Sequence, residues 1–177
     1  MFSKDFLRTK YETLNKLKLA IIAYTDGSSL GNPGPGGYGT ILLETEKKVK
    51  KEFSQGYRLT TNNRMELMAV IVALEKLKKP NTEITIYTDS KYVCDAVDKK
   101  WVFGWEKKGF KGKKNEDLWR KFLIQYRKQK VSFQWVKGHA GNEFNERADQ
   151  IAVAAANSDN HLIDEGFENS KDETELF

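Results

Sequence analysis

LAIIAYTDGSSLGNPGPGGYG, residues 19–39, joins a compact apolar run to a segment dense in glycine and proline. Leu19 to Thr25 reads as a buried strand that ends at Asp26, and the Gly/Pro segment after it as a tightly turning loop. Downstream, Gly39 to Glu44 and Lys50 to Gly56 alternate as two antiparallel strands, with Glu46, Lys47 and Lys48 as their turn. TTNNRMELMAVIVALEKLKKP (60–80) is helical: Thr61, Asn62 and Asn63 suit its cap, and Pro80 stops it. Glu83 to Thr88 is a strand that ends at Asp89, and helices follow over Ser90 to Lys99 and Asp117 to Gln129. Val131 to Val136 is a strand, residues 137–141 (KGHAG) are a loop, and Asn142 to Ala156 is a final helix. The order β-β-β-α-β-α-α-β-α predicts an α/β fold. Three antiparallel strands, then two parallel ones reached through helical crossovers, make a five-stranded mixed sheet with helices on both faces.

The 177 residues suit one domain with extensions, and 39% hydrophobic content suffices for a core. The formal charge of +5 hides an asymmetry: residues 157–177 carry seven acids and one base, a net of −6, which leaves +11 on residues 1–156. A basic body favours a polyanionic partner, with plain solubility as the alternative. The single cysteine, Cys94, excludes an intrachain disulfide and suits a reducing compartment. Residues 1–18 form a basic, weakly amphipathic extension with a short helix and no signal peptide. The apolar runs are too short to span a bilayer. These features predict a cytoplasmic monomer with no membrane partner, and a polar, acidic tail over 157–177 that stays disordered.

Asp26 and Asp89 stand at the ends of buried strands, where open α/β sheets hold their ligands. Glu66 falls in the first turns of its helix, and Asp149 lies on the last helix. Each acid alone has an ordinary explanation. Asp26 suits an Asp-Gly turn, Asp89-Ser90 a helix cap, Glu66 a favourable helix N-terminus, and Asp149 an ion pair with Arg147 or a nearby lysine. Brought together, the four would repel one another, and some would stay protonated unless a cation filled the site. All-oxygen ligands favour Mg²⁺, with Mn²⁺ a substitute. Paired metals suit in-line displacement at phosphorus.

The segments YTDGSSLGNPGPGGYG (24–39), TTNNRMELMAV (60–70), IYTDSKYV (86–93) and WVKGHAGNEFNERADQIA (135–152) resemble type 1 ribonuclease H in order and spacing, across residues 19–156. The resemblance implies an endonuclease that cuts the RNA strand of RNA–DNA hybrids by a two-metal mechanism, leaving 5′-phosphate and 3′-hydroxyl ends. It implies that Asp26, Glu66, Asp89 and Asp149 are the ligands of two Mg²⁺ ions, and that His139 assists proton transfer and product departure. An imidazole suits that role because its charge changes near neutral pH; an ordinary loop histidine is the alternative.

Ser29, Asn32, Asn62 and Asn63 resemble contacts near the minor groove, where the 2′-hydroxyl distinguishes RNA. The stretch 99–121 has nine bases against three acids and resembles a basic protrusion that grips the DNA strand. Trp101, Trp105, Lys107, Lys108 and Lys111 are its candidate contacts. Three positions depart from the family pattern: Leu59 where an arginine often holds a DNA phosphate, Gly104 where an asparagine serves the same pocket, and Lys91 where glutamine is common. Lys91 could add a different phosphate contact. Residues 1–18 are too few for a separate hybrid-binding module. The acidic tail suggests a competitor folded over the basic face. A non-catalytic hybrid-binding module and a DNA-acting relative of the same fold are the competing readings.

Overall fold

The computed structural model describes residues 21–172. The helix expected within residues 1–18, and the end of the tail beyond residue 172, lie outside the described residues. Strand β1 (Ile21–Ser29) pairs antiparallel with β2 (Gly34–Glu44), and β2 antiparallel with β3 (Val49–Thr60). On its other side β1 runs parallel to β4 (Glu83–Thr88), and β4 parallel to β5 (Lys130–Trp135). These five strands form the expected mixed sheet. A sixth, the two-residue β6 (His161–Leu162), adds in parallel to the edge of β3 and corrects the expected count.

The helices are α1 (Asn62–Glu75), α2 (Lys91–Asp98), α3 (Trp101–Lys107), α4 (Glu116–Tyr126), α5 (Glu143–Ala156) and α6 (Glu165–Asp172). Thr61 caps α1 by accepting from the Arg64 N–H, and Asn142 caps α5 by accepting from Asn145. Helix α1 stops at Glu75, short of Pro80. Its apolar residues pack with Ala23, Ile84 and Ile86 of the sheet and with Trp119 and Phe122 of α4. No helix among the described residues is long and apolar enough to cross a membrane.

The Gly/Pro segment is mostly strand, contrary to the loop expected over 27–39; only residues 30–33 turn. Its glycines admit helices rather than bends. A Cβ on Gly27 would lie 2.2 Å from the Glu66 backbone nitrogen, and one on Gly39 would lie 2.1 Å from the Ala148 carbonyl oxygen. Helix α1 therefore rests directly on β1, and α5 directly on β2. The two helices take opposite faces, because Tyr24, which shares a face with Asp26 by strand alternation, stacks on Phe144 of α5 at 5.4 Å.

The expected disorder of the tail does not hold for residues 157–172. Asp164, 4% exposed, accepts from Arg64 Nε at 2.7 Å and Nη2 at 2.6 Å, and from Thr60 Oγ1 at 2.6 Å. Arg64, 2% exposed, also donates to both oxygens of Asp117, at 2.9 and 2.7 Å. Burial works against the guanidinium charge, but the two carboxylates outweigh it and hold it protonated. Composition marks the segment as polar, but a buried arginine needs carboxylates, and the tail supplies one. Glu168 of α6 adds a more exposed pair with Arg58 at 2.7 Å. Asp164→Ala should therefore lower unfolding stability by about 3 kcal/mol, because it leaves buried charge less compensated. Glu168→Gln should cost less than about 1 kcal/mol, as exposed pairs do. Urea denaturation of the two variants measures both, and equal losses would contradict the buried network.

Candidate active site

The last parallel pair between β1 and β4 is Thr25 with Thr88, so Asp26 and Asp89 follow neighbouring, parallel chain segments. Tyr24 and Tyr87 stack just before them, with centroids 4.9 Å apart. Gly27 lets the first turn of α1 descend onto β1, which brings Glu66 beside Asp26. Gly39 pairs with Asp26 across the sheet and lies beneath the Ala148 carbonyl, so the next residue of α5, Asp149, meets the same place. The 137–141 loop reaches Asp89: a Cβ on Gly138 would sit 2.5 Å from Asp89 Oδ2. His139 is exposed, adopts φ 53°, and acts electrostatically on Asp89.

The ordinary explanations for the acids do not account for this arrangement. Asp26 lies within β1 and is 8% exposed; its Oδ1 accepts from the Gly27 N–H at 2.7 Å. The expected Asp89-Ser90 cap is present through the Ser90 side chain, and it does not use the Asp89 carboxylate. Arg147 pairs with Glu52 at 2.9 Å rather than with Asp149. Glu66 accepts from Asn62 Nδ2 at 2.8 Å and from the Ser90 hydroxyl, so both its oxygens are oriented.

Burial, followed by the charge of Asp89, pushes the Asp26 carboxyl up to about 8; Asp149 and Glu66 add to the rise, and the Gly27 N–H opposes it. Burial also raises Glu66 and Asp89; Ser90 opposes the rise at Glu66, and Asp149 adds to it at Asp89. Burial and neighbouring carboxylates disfavour the charged form of these three groups, a condition that a bound cation would relieve. Among the described residues no three acidic, histidine or cysteine side chains close into a metal cage.

The expected substrate contacts divide into two groups. Ser29 ends β1, and Asn32 accepts from the Asn62 N–H at 3.2 Å. Asn32 and Asn63 line a cleft of about 930 Å³, whose far side carries Lys113, Lys114, Asn115 and Arg120. Trp101, Trp105, Lys107, Lys108 and Lys111 belong to α3 and the turn after it, on the protrusion. Trp101 is exposed, with the Lys99 ammonium over its ring at 4.8 Å. Trp105 packs edge-on against Trp119 at 5.7 Å, and the buried Trp119 anchors the protrusion by donating to the Tyr92 hydroxyl at 2.8 Å. Lys91 opens α2.

Leu59 and Gly104 do not line the cleft, whereas Asn115 does. Sequence reasoning missed Asn115, although its place just before the acidic first turn of α4 was available as a signal. It also missed Ser90 as the hydroxyl that orients Glu66, since a helix cap gives no hint of a second partner.

A family model described as RNase H matches residues 18–157. The chain belongs to the RNase H family. "Ribonuclease HI" of Synechocystis sp. is 46% identical over 153 residues, covering 84% of this chain and 94% of the relative. Among solved structures, LC9-RNase H1, described as a type 1 RNase H with the type 2 active-site motif, superposes with a TM-score of 0.71 at 32% identity. That match covers 86% of this chain and 80% of LC9-RNase H1. LC11-RNase H1, solved in complex with RNA/DNA hybrid, matches with a TM-score of 0.60 at 27% identity, covering 77% of this chain and 96% of its own. Enzymes of the RNase H family cleave the RNA strand of RNA–DNA hybrids.

The raised Asp26 carboxyl gives this RNase H a defined pH response. The fold holds that proton more tightly than the unfolded chain does. Its contribution is therefore full below the ordinary carboxylate range near about pH 4, and is lost as pH rises towards about 8. In chelator, the melting temperature of Asp26→Asn should fall less than that of the parent over this interval. Excess Mg²⁺ at the upper end should raise the parent more than the variant. Parallel melting curves for the two proteins would contradict the assignment.

Proposed function

We propose that this RNase H family protein hydrolyses the RNA strand of RNA–DNA hybrids as an endonuclease, leaving 5′-phosphate and 3′-hydroxyl ends. The observation that carries the reading is that Asp26, Glu66, Asp89 and Asp149, contributed from both sheet faces, act on one another beside the paired β1 and β4 segments, with three of the carboxyls raised. These four would hold Mg²⁺, or Mn²⁺ in its place. Two such ions, when bound, supply water activation and neutralise charge at the leaving oxygen in an in-line displacement at phosphorus.

The chain's own groups prepare that chemistry. Asn62 and Ser90 hold Glu66 in one orientation, and the Gly27 N–H does the same for one Asp26 oxygen. His139, on its exposed loop, carries a proton to and from the departing product. Ser29, Asn32, Asn62 and Asn63 read the sugar edge of the RNA strand, where a 2′-hydroxyl both donates and accepts. The cleft between Asn63 and Lys114 takes sugar-phosphate backbone. Lys91, Lys107, Lys108 and Lys111 neutralise phosphates, while Trp101 and Trp105 present aromatic surface to the hybrid.

Glu168 shields Arg58 and lies on the side of the cleft where Phe167 forms a wall. Asp164, a buried partner of Arg64, is not available to compete with nucleic acid as part of a loose acidic tail.

Cleavage of an end-labelled RNA strand tests the reading, comparing RNA–DNA hybrid, duplex RNA, duplex DNA and single-stranded RNA in Mg²⁺ and in chelator. Hybrid-only, metal-dependent cutting is expected, with Asp26→Asn reducing it by at least about 10³-fold. Tight hybrid binding without cutting would replace this reading with a binding module, and cutting of duplex DNA would replace it with a DNA-acting relative.

A further inference from the structure

Trp135 is a large aromatic residue left 44% exposed beside the carboxylates. It is the last residue of β5 and pairs with Thr88, the last residue of β4. Its indole N–H crosses to the neighbouring segment and donates to the Asp89 main-chain carbonyl at 3.0 Å. Asp89 occupies the single position between the end of β4 and the Ser90 cap of α2. The strand ladder has ended there and the helix has not begun, so a main-chain bond from outside restrains an otherwise weakly held residue. The flanking bonds, from Val136 N–H to the Thr88 carbonyl at 3.0 Å and from Ser90 N–H to Thr88 Oγ1 at 3.1 Å, fix Thr88 but leave the Asp89 carbonyl to Trp135.

The ring has a second use. The Lys91 ammonium lies 5.2 Å from its centroid, over the face. Lys91 opens α2 just past Ser90, and its ammonium rests on the indole face. Exposed and held on the indole face, it is presented to an incoming anion.

We infer that Trp135 is a positioning residue for the hydrolysis, whose N–H fixes the Asp89 main chain and whose ring face holds the Lys91 ammonium against a substrate phosphate. The inference rests on the reading of Asp89 as a Mg²⁺ ligand. A ligand displaced by a fraction of an ångström loses affinity and rate together, because both depend on a preorganised carboxylate.

The two functions separate by substitution. Trp135→Phe keeps an aromatic face and removes the N–H; benzothienylalanine at 135 keeps the full ring shape and removes only the N–H. Both should lower kcat about tenfold, leave KM for the hybrid unchanged and raise the Mg²⁺ concentration for half-maximal rate several-fold. Calorimetric titration of the hybrid-free protein with Mg²⁺ should show the same weakening without turnover. Trp135→Leu should in addition raise KM and reduce the salt dependence of hybrid binding by about one phosphate contact, as Lys91→Gln does. Parental Mg²⁺ binding and kcat in the benzothienylalanine protein would overturn the inference, as would a loss of rate in Trp135→Phe that follows melting temperature alone. Failure of the parent protein to bind Mg²⁺ or cut hybrid would instead remove the underlying reading.

Discussion

Two helices rest on the bare backbone of two adjacent strands, and that contact places the acidic groups. Side chains at Gly27 and Gly39 would collide with the main chains of α1 and α5. Without them, each helix comes down to the sheet surface, one on each face. Glu66 and Asp149 then come beside the adjacent segments that carry Asp26 and Asp89.

That closeness has an electrostatic cost, which the structure meets only in part. Hydrogen bonds from Gly27, Asn62 and Ser90 steady individual oxygens, yet burial and mutual repulsion still raise three carboxyls. Elsewhere the chain pairs its charge: Arg64, two residues before Glu66, is enclosed by Asp117 and Asp164. The same helical turn thus carries one satisfied charge and one unsatisfied charge. The satisfied one ties α1 to the protrusion through α4 and to the C-terminal segment.

Asp89 was legible because the apolar run of β4 stops at it; the apolar run before Asp26 marked that acid too, but β1 continues past it to Ser29. The helix carrying Glu66 was legible from Thr61 and its apolar periodicity. The Gly/Pro segment misled because glycine signals a turn locally, whereas Gly27 and Gly39 make room for helices contributed from distant parts of the chain. The ordering of residues 157–172 was hidden for a related reason. Asp164 looks like one more acid in an acidic tail until Arg64 is found buried opposite it. Asn115 and Trp135 carry no local mark of their partners, which lie on other elements.

The central claim is that these carboxylates form one coupled, cation-seeking site, and site-resolved carbon NMR of the Asp26 carboxyl reads it directly. In metal-free protein the titration midpoint should lie far above the ordinary carboxylate range, near about 8, and should fall when Mg²⁺ is added. A midpoint in the ordinary range, unmoved by Mg²⁺, would contradict the account.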